Sequence, residues 1–295
     1  MAAKIQIPEE LKRDLMQSKW GKILIATPII MTVIATMLAG LASSEMTKAQ
    51  YDRAFAAQLQ SKAGDQWGYY QAKKLRSAVA DNTLDLLAAT SAVEPLAASA
   101  LANADAATVA ALTQNQLPAA VPAKYVESVN TALAAVENSA PETEISADLA
   151  KVKDAVLSDA LNAARQAALD FDNATKTINQ TIDALDKTLR SGDRDVFRSF
   201  CAARLRYTVA RYDAESKLNL AVAGIYELQV RKGNVSAERH HERSVRFFYG
   251  MLAAQMAVII ATFSIASQKM NLLWSLAAAA GLAAVSFSLY VFLCF

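Results

Sequence analysis

The two histidines of the chain, His240 and His241, are adjacent in sequence. Neighbouring helical side chains point about 100° apart, so the two imidazoles do not form the i, i+4 pair that binds zinc. Glu238 precedes His241 by three residues and matches one Glu-x-x-His element of a di-iron helical bundle, which needs two such elements. The sequence has one. We therefore interpret this segment as a cationic collar at the membrane interface, formed by Arg239, His240, His241, Arg243 and Arg246.

The remaining reactive residue types do not group into a catalytic set. Cys201 lies in a polar helical segment and Cys294 in an apolar one, so we expect them not to meet. Asp170 and Asp172 are spaced i, i+2 and face apart on a helix. The sequence also has no glycine-rich loop suited to phosphate. We expect no metal site, no cofactor and no enzymatic activity.

An aromatic cluster is the most distinctive local feature outside the apolar segments. It consists of Trp67, Tyr69 and Tyr70, and Gly64 and Gly68 flank the tryptophan. Glycine inside a helix costs about 1 kcal/mol relative to alanine, so a close approach of another helix would explain the pair. We interpret the cluster as an aromatic core layer. A contact with a ligand or partner on the side of a bundle is the alternative.

Three apolar segments frame the rest of the chain. Residues 23–42, 247–267 and 272–295 are each long enough to cross a hydrocarbon core of about 30 Å as a helix. Residues 268–271 join the last two segments as a tight hairpin. Residues 1–22 form an N-terminal tail in which Pro8, Leu11 and Leu15 predict a short amphipathic helix. The sequence thus predicts three transmembrane helices.

Polar residues inside these segments raise the question of a pore. Gln255 lies within the second span, and Thr32 and Thr36 lie within the first. A polar side chain in hydrocarbon more often hydrogen-bonds a neighbouring helix than lines a channel, and we favour that interpretation for Gln255. A channel with these three residues in its lining is the alternative.

Composition restricts the fold of residues 43–246. The chain has only 9 glycines and 6 prolines in 295 residues, too few for the turns of a β-sandwich or a dinucleotide-binding fold. Its formal net charge of +2 gives no case for nucleic-acid binding. We predict an all-α protein in which a long up-down-up-down helical bundle is inserted between the first and second spans.

The bundle is predicted from its breaks and its periodicity. Breaks near Pro95, near Pro141 and at residues 191–193 divide the insert into legs 43–94, 95–141, 142–190 and 193–246. Pro118 and Pro122 weaken the second leg, and Pro122 suits the first position of a helix that ends at residue 139. Gly233 and Asn234 predict a kink in the fourth leg.

The third leg has the clearest pattern. Its apolar residues follow a coiled-coil-like eleven-residue repeat of 4-3-4 spacing, at positions 145, 149, 152, 156, 160, 163, 167, 171, 174, 178, 182, 185 and 189. Many of these are alanines, which bury little area, so association with further protomers would add burial. In the third span, Ala277, Gly281 and Val285 form one small-residue face and 280, 284 and 288 form another. Packing among the three spans of one protomer explains these faces equally well.

The segment Asp65-Gln-Trp-Gly-Tyr-Tyr-Gln-Ala-Lys-Lys-Leu-Arg76 resembles the hallmark of an uncharacterised bacterial membrane family, domain-of-unknown-function family 4337. The C-terminal hairpin is similar to that family too, through residues 243–248, Gln255 and residues 267–274. The resemblance covers about a third of the chain. It implies a bacterial inner-membrane protein with a cytoplasmic final hairpin loop. It marks Asp65, Gln66, Trp67 and Tyr70 as signature positions and carries no activity.

Charge around the first span predicts the orientation. Lys12, Arg13, Lys19 and Lys22 precede it and only Lys48 and Arg53 follow, which favours a cytoplasmic N-terminus and a periplasmic insert. The basic residues before the second span argue for the opposite orientation, but the first helix usually dominates.

Taken with the absence of a catalytic set, these patterns favour a membrane-anchored helical scaffold, in a homo-oligomer or a larger membrane complex. Its partners are the lipid bilayer and copies of itself or other membrane proteins. An extracytoplasmic four-helix sensory or binding module that works through a membrane partner is the first alternative. A channel or transport accessory subunit is the second.

Overall fold

The computed structural model describes residues 19–102, 104–267 and 270–294. Within these ranges 88% of the structure is helical and no strand occurs. The helices are α1 (Lys19–Thr90), a 3-10 turn (Ala98–Leu101), α2 (Ala106–Gln114), α3 (Glu127–Glu137), α4 (Glu142–Lys151), α5 (Asp154–Leu189), α6 (Arg194–Ser267) and α7 (Met270–Cys294). The predicted all-α fold is confirmed. The predicted amphipathic helix of the N-terminal tail lies outside the described residues, as do residues 268 and 269 of the hairpin.

Three helices, α1, α6 and α7, are long and apolar enough to cross a membrane. The chain divides into two compact units. We call the residues up to Ala54 and from Gly233 onward the span unit, and Phe55–Lys232 the insert unit. Both α1 and α6 contribute residues to each unit. Helix α6 is continuous through Gly233 and Asn234, and the predicted kink there stays a prediction.

The predicted breaks between legs are confirmed. Helix α1 ends at Thr90, shortly before Pro95, and α4 begins directly after Pro141. Helices α5 and α6 meet around Gly192. The Asp193 carboxylate accepts hydrogen bonds from the backbone N–H groups of residues 195 and 196, at 2.8 and 3.2 Å. These bonds satisfy two of the N–H groups that a helix start leaves without partners, and they fix the start of α6.

The insert unit has the predicted up-down-up-down path, but its second leg is only partly helical. Residues 91–126 contain the 3-10 turn and α2, and an extended stretch follows. Asn115 ends α2 in the left-handed conformation, with φ of 53°. The predicted helix start at Pro122 is wrong, because α3 begins only at Glu127.

Burial along α4 and α5 follows the predicted eleven-residue repeat at all but one of its positions. The chain is extended at Val152, which separates α4 from α5. The predicted positions that are buried or half-buried are 145, 149, 152, 156, 160, 163, 167, 171, 178, 182, 185 and 189. Ala174 is exposed while Thr175 is buried, its hydroxyl donating to the Phe171 carbonyl at 3.0 Å. The predicted repeat is therefore confirmed, with Thr175 in place of Ala174 as its one departure.

Two hydrophobic clusters hold the insert unit together. The first, the α3–α4 cluster, joins Leu59 of α1 to α3, α4, the start of α5 and Ile225 of α6. The second, the α2 cluster, joins α2 to Ile178 and Ile182 of α5 and to Phe200 of α6. Since one wraps α3 and α4 and the other wraps α2, these clusters fix the second leg without requiring a continuous helix.

The core of the span unit consists mainly of small residues. Ala254, Ala277 and Ala284 are fully buried. A Cβ added at Gly281 would lie 2.3 Å from the Met31 methyl, and one at Gly250 would lie 2.7 Å from the Ser288 hydroxyl. Of the two predicted small-residue faces, every residue but Val285, which is 43% exposed, is thus buried or half-buried within one protomer.

Candidate functional site

The signature segment lies on α1 in the insert unit, mostly facing outward. Trp67 and Tyr69 are 36% and 57% exposed, and Gln66 and Tyr70 are half-buried. Trp67 meets Tyr70 edge-to-face, with ring centroids 5.7 Å apart. The predicted aromatic core layer is wrong. Trp67 and Tyr69 lie beside the buried face of α1, which runs through Gln66 and Tyr70.

The expected close approach of another helix to the flanking glycines is also wrong. No atom lies within 4 Å of a Cβ built at Gly64 or Gly68. Asp65 is exposed as well. Residues 64, 65 and 68 therefore lie on an open surface of α1, where the alternative of a partner contact remains a prediction.

The buried face of α1 carries charge beside this segment. Lys73 pairs with Glu215 of α6, whose side chain is only 8% exposed. Arg211 binds the other oxygen of the same carboxylate at 3.1 Å. A buried carboxylate is tolerated when its desolvation is offset by cations and hydrogen bonds, and two cations do so here. The Tyr212 ring packs against the same charges, with the Lys73 ammonium 5.2 Å and the Arg211 guanidinium 4.5 Å from its centroid.

A cleft opens next to this ion pair, between α1, α5 and α6. It encloses about 380 Å³, which is within the range of small-molecule sites. Its lining includes two cations and two anions together with amide and phenol groups, from Gln66, Tyr69, Lys73, Arg165, Asp172, Glu215 and Asn219. Because the lining charges cancel, the cleft suits a neutral or zwitterionic molecule better than a phosphate or a polycation.

Arg165 is fixed in position at the edge of the cleft. Its guanidinium donates to the Tyr226 hydroxyl and lies 5.1 Å from the centroid of the Tyr226 ring. Tyr226 is itself fully buried. Of the two cations in the cleft, Lys73 is thus paired with the Glu215 carboxylate and Arg165 is held by the Tyr226 ring.

The collar residues lie in the span unit and are less hydrated than predicted. His240 contacts the buried Glu45 carboxylate at 2.6 Å through Nδ1, and Lys48 binds the other oxygen at 2.7 Å. Burial by itself raises the pKa of the Glu45 carboxyl, but hydrogen bonds from Lys48 and His240 outweigh it. The net pKa lies below the ordinary 4.5. His240 therefore joins α6 to α1.

The other collar residues have different surroundings. Arg239 is exposed, whereas His241, Arg243 and Arg246 are half-buried, and Arg246 pairs with Glu242 at 3.4 Å. Glu238, the glutamate of the Glu-x-x-His element, pairs with Arg53 at 3.4 Å. Among the described residues no group of three His, Cys, Asp or Glu side chains is placed to hold a metal ion.

The three polar residues considered for a pore face outward. Gln255 is exposed and makes no hydrogen bond to another described residue, so the predicted bond to a neighbouring span of the same chain is not formed. Thr32 and Thr36 are also exposed, and their hydroxyls donate to the carbonyls four residues earlier in α1, at 2.8 and 2.9 Å. None of these side chains lines a space between the three spans.

The cleft was missed at the level of the sequence because α1 has a seam that polar residues interrupt. Apart from Ala39 and Met46, its buried and half-buried positions from 35 to 87 alternate by 3 and 4 residues. They include the polar residues Glu45, Asp52, Gln66, Lys73 and Ser77. A search for apolar periodicity passes over such a seam. The spacing alone, without regard to residue type, was the available signal.

No family model, curated protein or solved structure matches this chain. The fold itself therefore defines the class. The chain is a helical protein with three helices long and apolar enough to span a membrane, as a multi-pass membrane protein would have.

Proposed function

We propose that this chain is a non-enzymatic membrane protein that serves as a helical scaffold, in a homo-oligomer or as a subunit of a larger membrane complex. The observation that carries the proposal is the construction of α1 and α6. Each combines an apolar membrane-spanning segment with a stretch of the insert unit in one uninterrupted helix of 72 or 74 residues. Long uninterrupted helices suit a structural role, whereas catalytic residues are more often carried on loops.

The charges of the cleft support a non-enzymatic role. Lys73 and Glu215, two ionisable residues in the lining of the cleft, form an ion pair and neutralise each other. General acid–base or nucleophilic catalysis requires such groups beside a base or acid with a tuned pKa. The half-buried Cys201 gives no reactive thiolate either, because burial raises the pKa of its thiol.

The proposed location is the bacterial inner membrane, with the N-terminus in the cytoplasm and the insert in the periplasm. The basic residues before the first span support this orientation. The resemblance to domain-of-unknown-function family 4337 supports the compartment. A cysteine at the exposed Ser158, with Cys201 and Cys294 replaced, tests the orientation in intact cells with an impermeant maleimide. Labelling without permeabilisation is expected, and protection until the cells are opened would reverse the orientation.

Extraction of native membranes with an amphipathic polymer tests the assembly. The mass of the particle is expected to correspond to two or more copies, or to one copy with co-purifying membrane proteins. A monodisperse particle that contains one copy and nothing else contradicts the scaffold proposal.

The cleft favours a second candidate function, a binding module that works through a membrane partner. Its volume and balanced lining charges suit a small neutral or zwitterionic molecule. Such a ligand raises the melting temperature because it binds only the folded state. Thermal unfolding with a panel of amino acids, betaines and sugars tests this, with Gln66→Ala as the cleft variant. A shift in the wild type that is lost in the variant supports binding, and a panel without any shift contradicts it.

A further inference from the structure

Helix α1 has a second stripe of regularly spaced residues, opposite its buried face. The stripe consists of Gly68, Ala72, Leu75, Val79, Asn82, Leu86 and Ala89, with 4-3-4-3-4-3 spacing. Each lies two residues after a position of the buried face of α1 and is therefore rotated by about 200° from it around the helix. All seven are exposed, and Leu75, Val79 and Leu86 expose 67%, 57% and 64% of their surfaces. We call this set the outer seam.

Exposure of this kind is concentrated on α1. In the insert unit α5 and α6 each expose one large apolar side chain, Leu169 and Leu220 respectively. Scattered exposed leucines are ordinary on protein surfaces, but a stripe with heptad spacing is the pattern by which helices form coiled coils. The outer seam therefore has the spacing of a helix–helix interface without a helix of its own chain to fill it.

We infer that the outer seam pairs with the same residues of a second copy, as a parallel two-stranded coiled coil; this inference rests on the proposed assembly into oligomers. Copies of one membrane protein share the orientation that the bilayer imposes, so their α1 helices run parallel. A two-fold axis parallel to the two helices places each residue of the outer seam against the same residue of the second copy. Leu75, Val79 and Leu86 then meet their own copies in an apolar contact.

Asn82 gives the pair a register. It is the one polar residue within the outer seam, and an amide both donates and accepts hydrogen bonds, so two copies satisfy each other across the axis. An alignment shifted by one heptad would place the Asn82 amide against Leu75 or Ala89, which offer it no hydrogen bond.

The flanking residues contain no opposing like charges. In a parallel pair, the residue that precedes Ala72, Val79 or Leu86 of one copy lies beside the residue whose number is five higher in the second copy. This places Gln71 beside Arg76 and Asp85 beside Thr90 of the second copy. The preceding seam position is Asp65, where two carboxylates would meet. The coiled coil therefore begins at Gly68.

The exposed area is sufficient for a pairing that the membrane assists. The three large residues of the outer seam expose on the order of 300 Å² per copy before its small residues are counted, and a standard interface removes about 800 Å² from each partner. The exposed small seam residues supply further area. Confinement of both copies to one membrane lowers the entropic cost of association.

Disulfide mapping along α1 tests the inference. Single cysteines replace residues 74, 75, 78, 79, 81, 82 and 86 in a Cys201→Ala, Cys294→Ala background, and native membranes are mildly oxidised. Paired seam positions lie within the reach of a disulfide, about 4.4–6.8 Å between Cα atoms. Disulfide-linked dimers are expected for cysteines at 75, 79, 82 and 86. Their yield should be at least about tenfold lower for cysteines at the exposed positions 74 and 81.

The other outcomes of this mapping overturn the inference. A flat profile, a profile with maxima out of phase with the seam, or adducts with a different protein each exclude pairing through the outer seam. If native extracts contain oligomers while the profile is flat, the inference fails and the proposed scaffold stands. If the particle is a single copy, both fail.

A charge variant gives an independent readout. Leu75→Arg with Val79→Arg places four cations along the axis of the pair and is expected to reduce the oligomer fraction at least about tenfold. Both residues are exposed, so the helical content and melting temperature of the dissociated chain should match those of the wild type. Leu169→Arg, equally exposed but outside the seam, is the matched control and should leave the oligomer unchanged. An oligomer fraction that survives the double substitution overturns the inference.

Discussion

The buried positions of the span unit are mostly small residues, whereas those of the insert unit include large aromatic and aliphatic ones. Ala254, Ala277 and Ala284 fill the first, and Phe171 and Phe200 are among the largest in the second. Both units nevertheless bury α1 residues at the same alternation of 3 and 4 positions. One helix geometry therefore supports two different kinds of packing.

The surroundings of each unit explain the difference. In water the transfer of large apolar side chains into a core drives folding, at about 25 cal/mol per Å². Lipid tails are as apolar as leucine, so membrane helices gain little from burial and instead associate through close packing of small residues. Removal of volume should therefore harm the insert unit most, and addition of volume should harm the span unit most.

Phe200→Ala should give the largest effect. Phe200 is fully buried in the α2 cluster, and truncation of a core phenylalanine costs about 3–5 kcal/mol. Unfolding of the insert unit, followed by circular dichroism on the full chain in detergent, should occur at a markedly lower temperature. Leu169→Ala, on the exposed face of α5, should have little effect. Equal losses in the two variants would contradict the assigned core.

Gly281→Leu should destabilise the span unit by about 1–3 kcal/mol, as overpacking does. A Cβ at Gly281 already overlaps the Met31 side chain, and a larger group displaces α1 from α7. Limited proteolysis in mild detergent should show faster cleavage within the span unit. Gly40→Leu is the matched control, since a Cβ there meets nothing within 4 Å. If the two variants are cleaved at the same rate, the described packing of the spans is wrong.

Asp105→Ala should cost about 1 kcal/mol through the loss of a helix cap. The Asp105 carboxylate accepts hydrogen bonds from the Thr108 hydroxyl and backbone N–H at 2.7 and 2.9 Å, and these bonds lower its pKa. Asp105→Asn keeps the acceptor and should retain most of the stability. Urea titration of the insert unit measures both variants. A loss in the asparagine variant as large as in the alanine variant would exclude the cap as the cause.

Glu45→Gln should have the smallest effect, below about 1 kcal/mol at neutral pH, because Lys48 and His240 are partly exposed. The pKa of Glu45 is lowered by folding, so its contribution is fully present above about pH 4.5 and is lost as the pH falls through the folded-state pKa. Melting temperatures between about pH 3 and pH 7 should therefore depend less on pH in the variant. An unchanged pH profile would contradict the pairing with His240.

Local chemistry explains which features were predictable from the sequence. The spans follow from the length of their apolar runs. The end of α1 at Thr90, the start of α4 after Pro141 and the end of α5 at Leu189 follow from proline, glycine and capping residues nearby. These signals act through the backbone of a few consecutive residues. They hold whatever the rest of the chain does, so the all-α class and three of the four legs could be predicted without tertiary information.

The exact seam and the cleft depended on contacts between distant residues. The break at Val152 is stabilised by Lys232, which donates to its carbonyl and pairs with Asp154 at 2.7 Å. Further along α5, Thr175 is buried where the repeat predicts Ala174. Likewise Lys73 is buried on α1 because Glu215 faces it from α6. Apolar periodicity records which residues avoid water on their own, whereas the burial of a charge requires the partner that only the folded chain supplies.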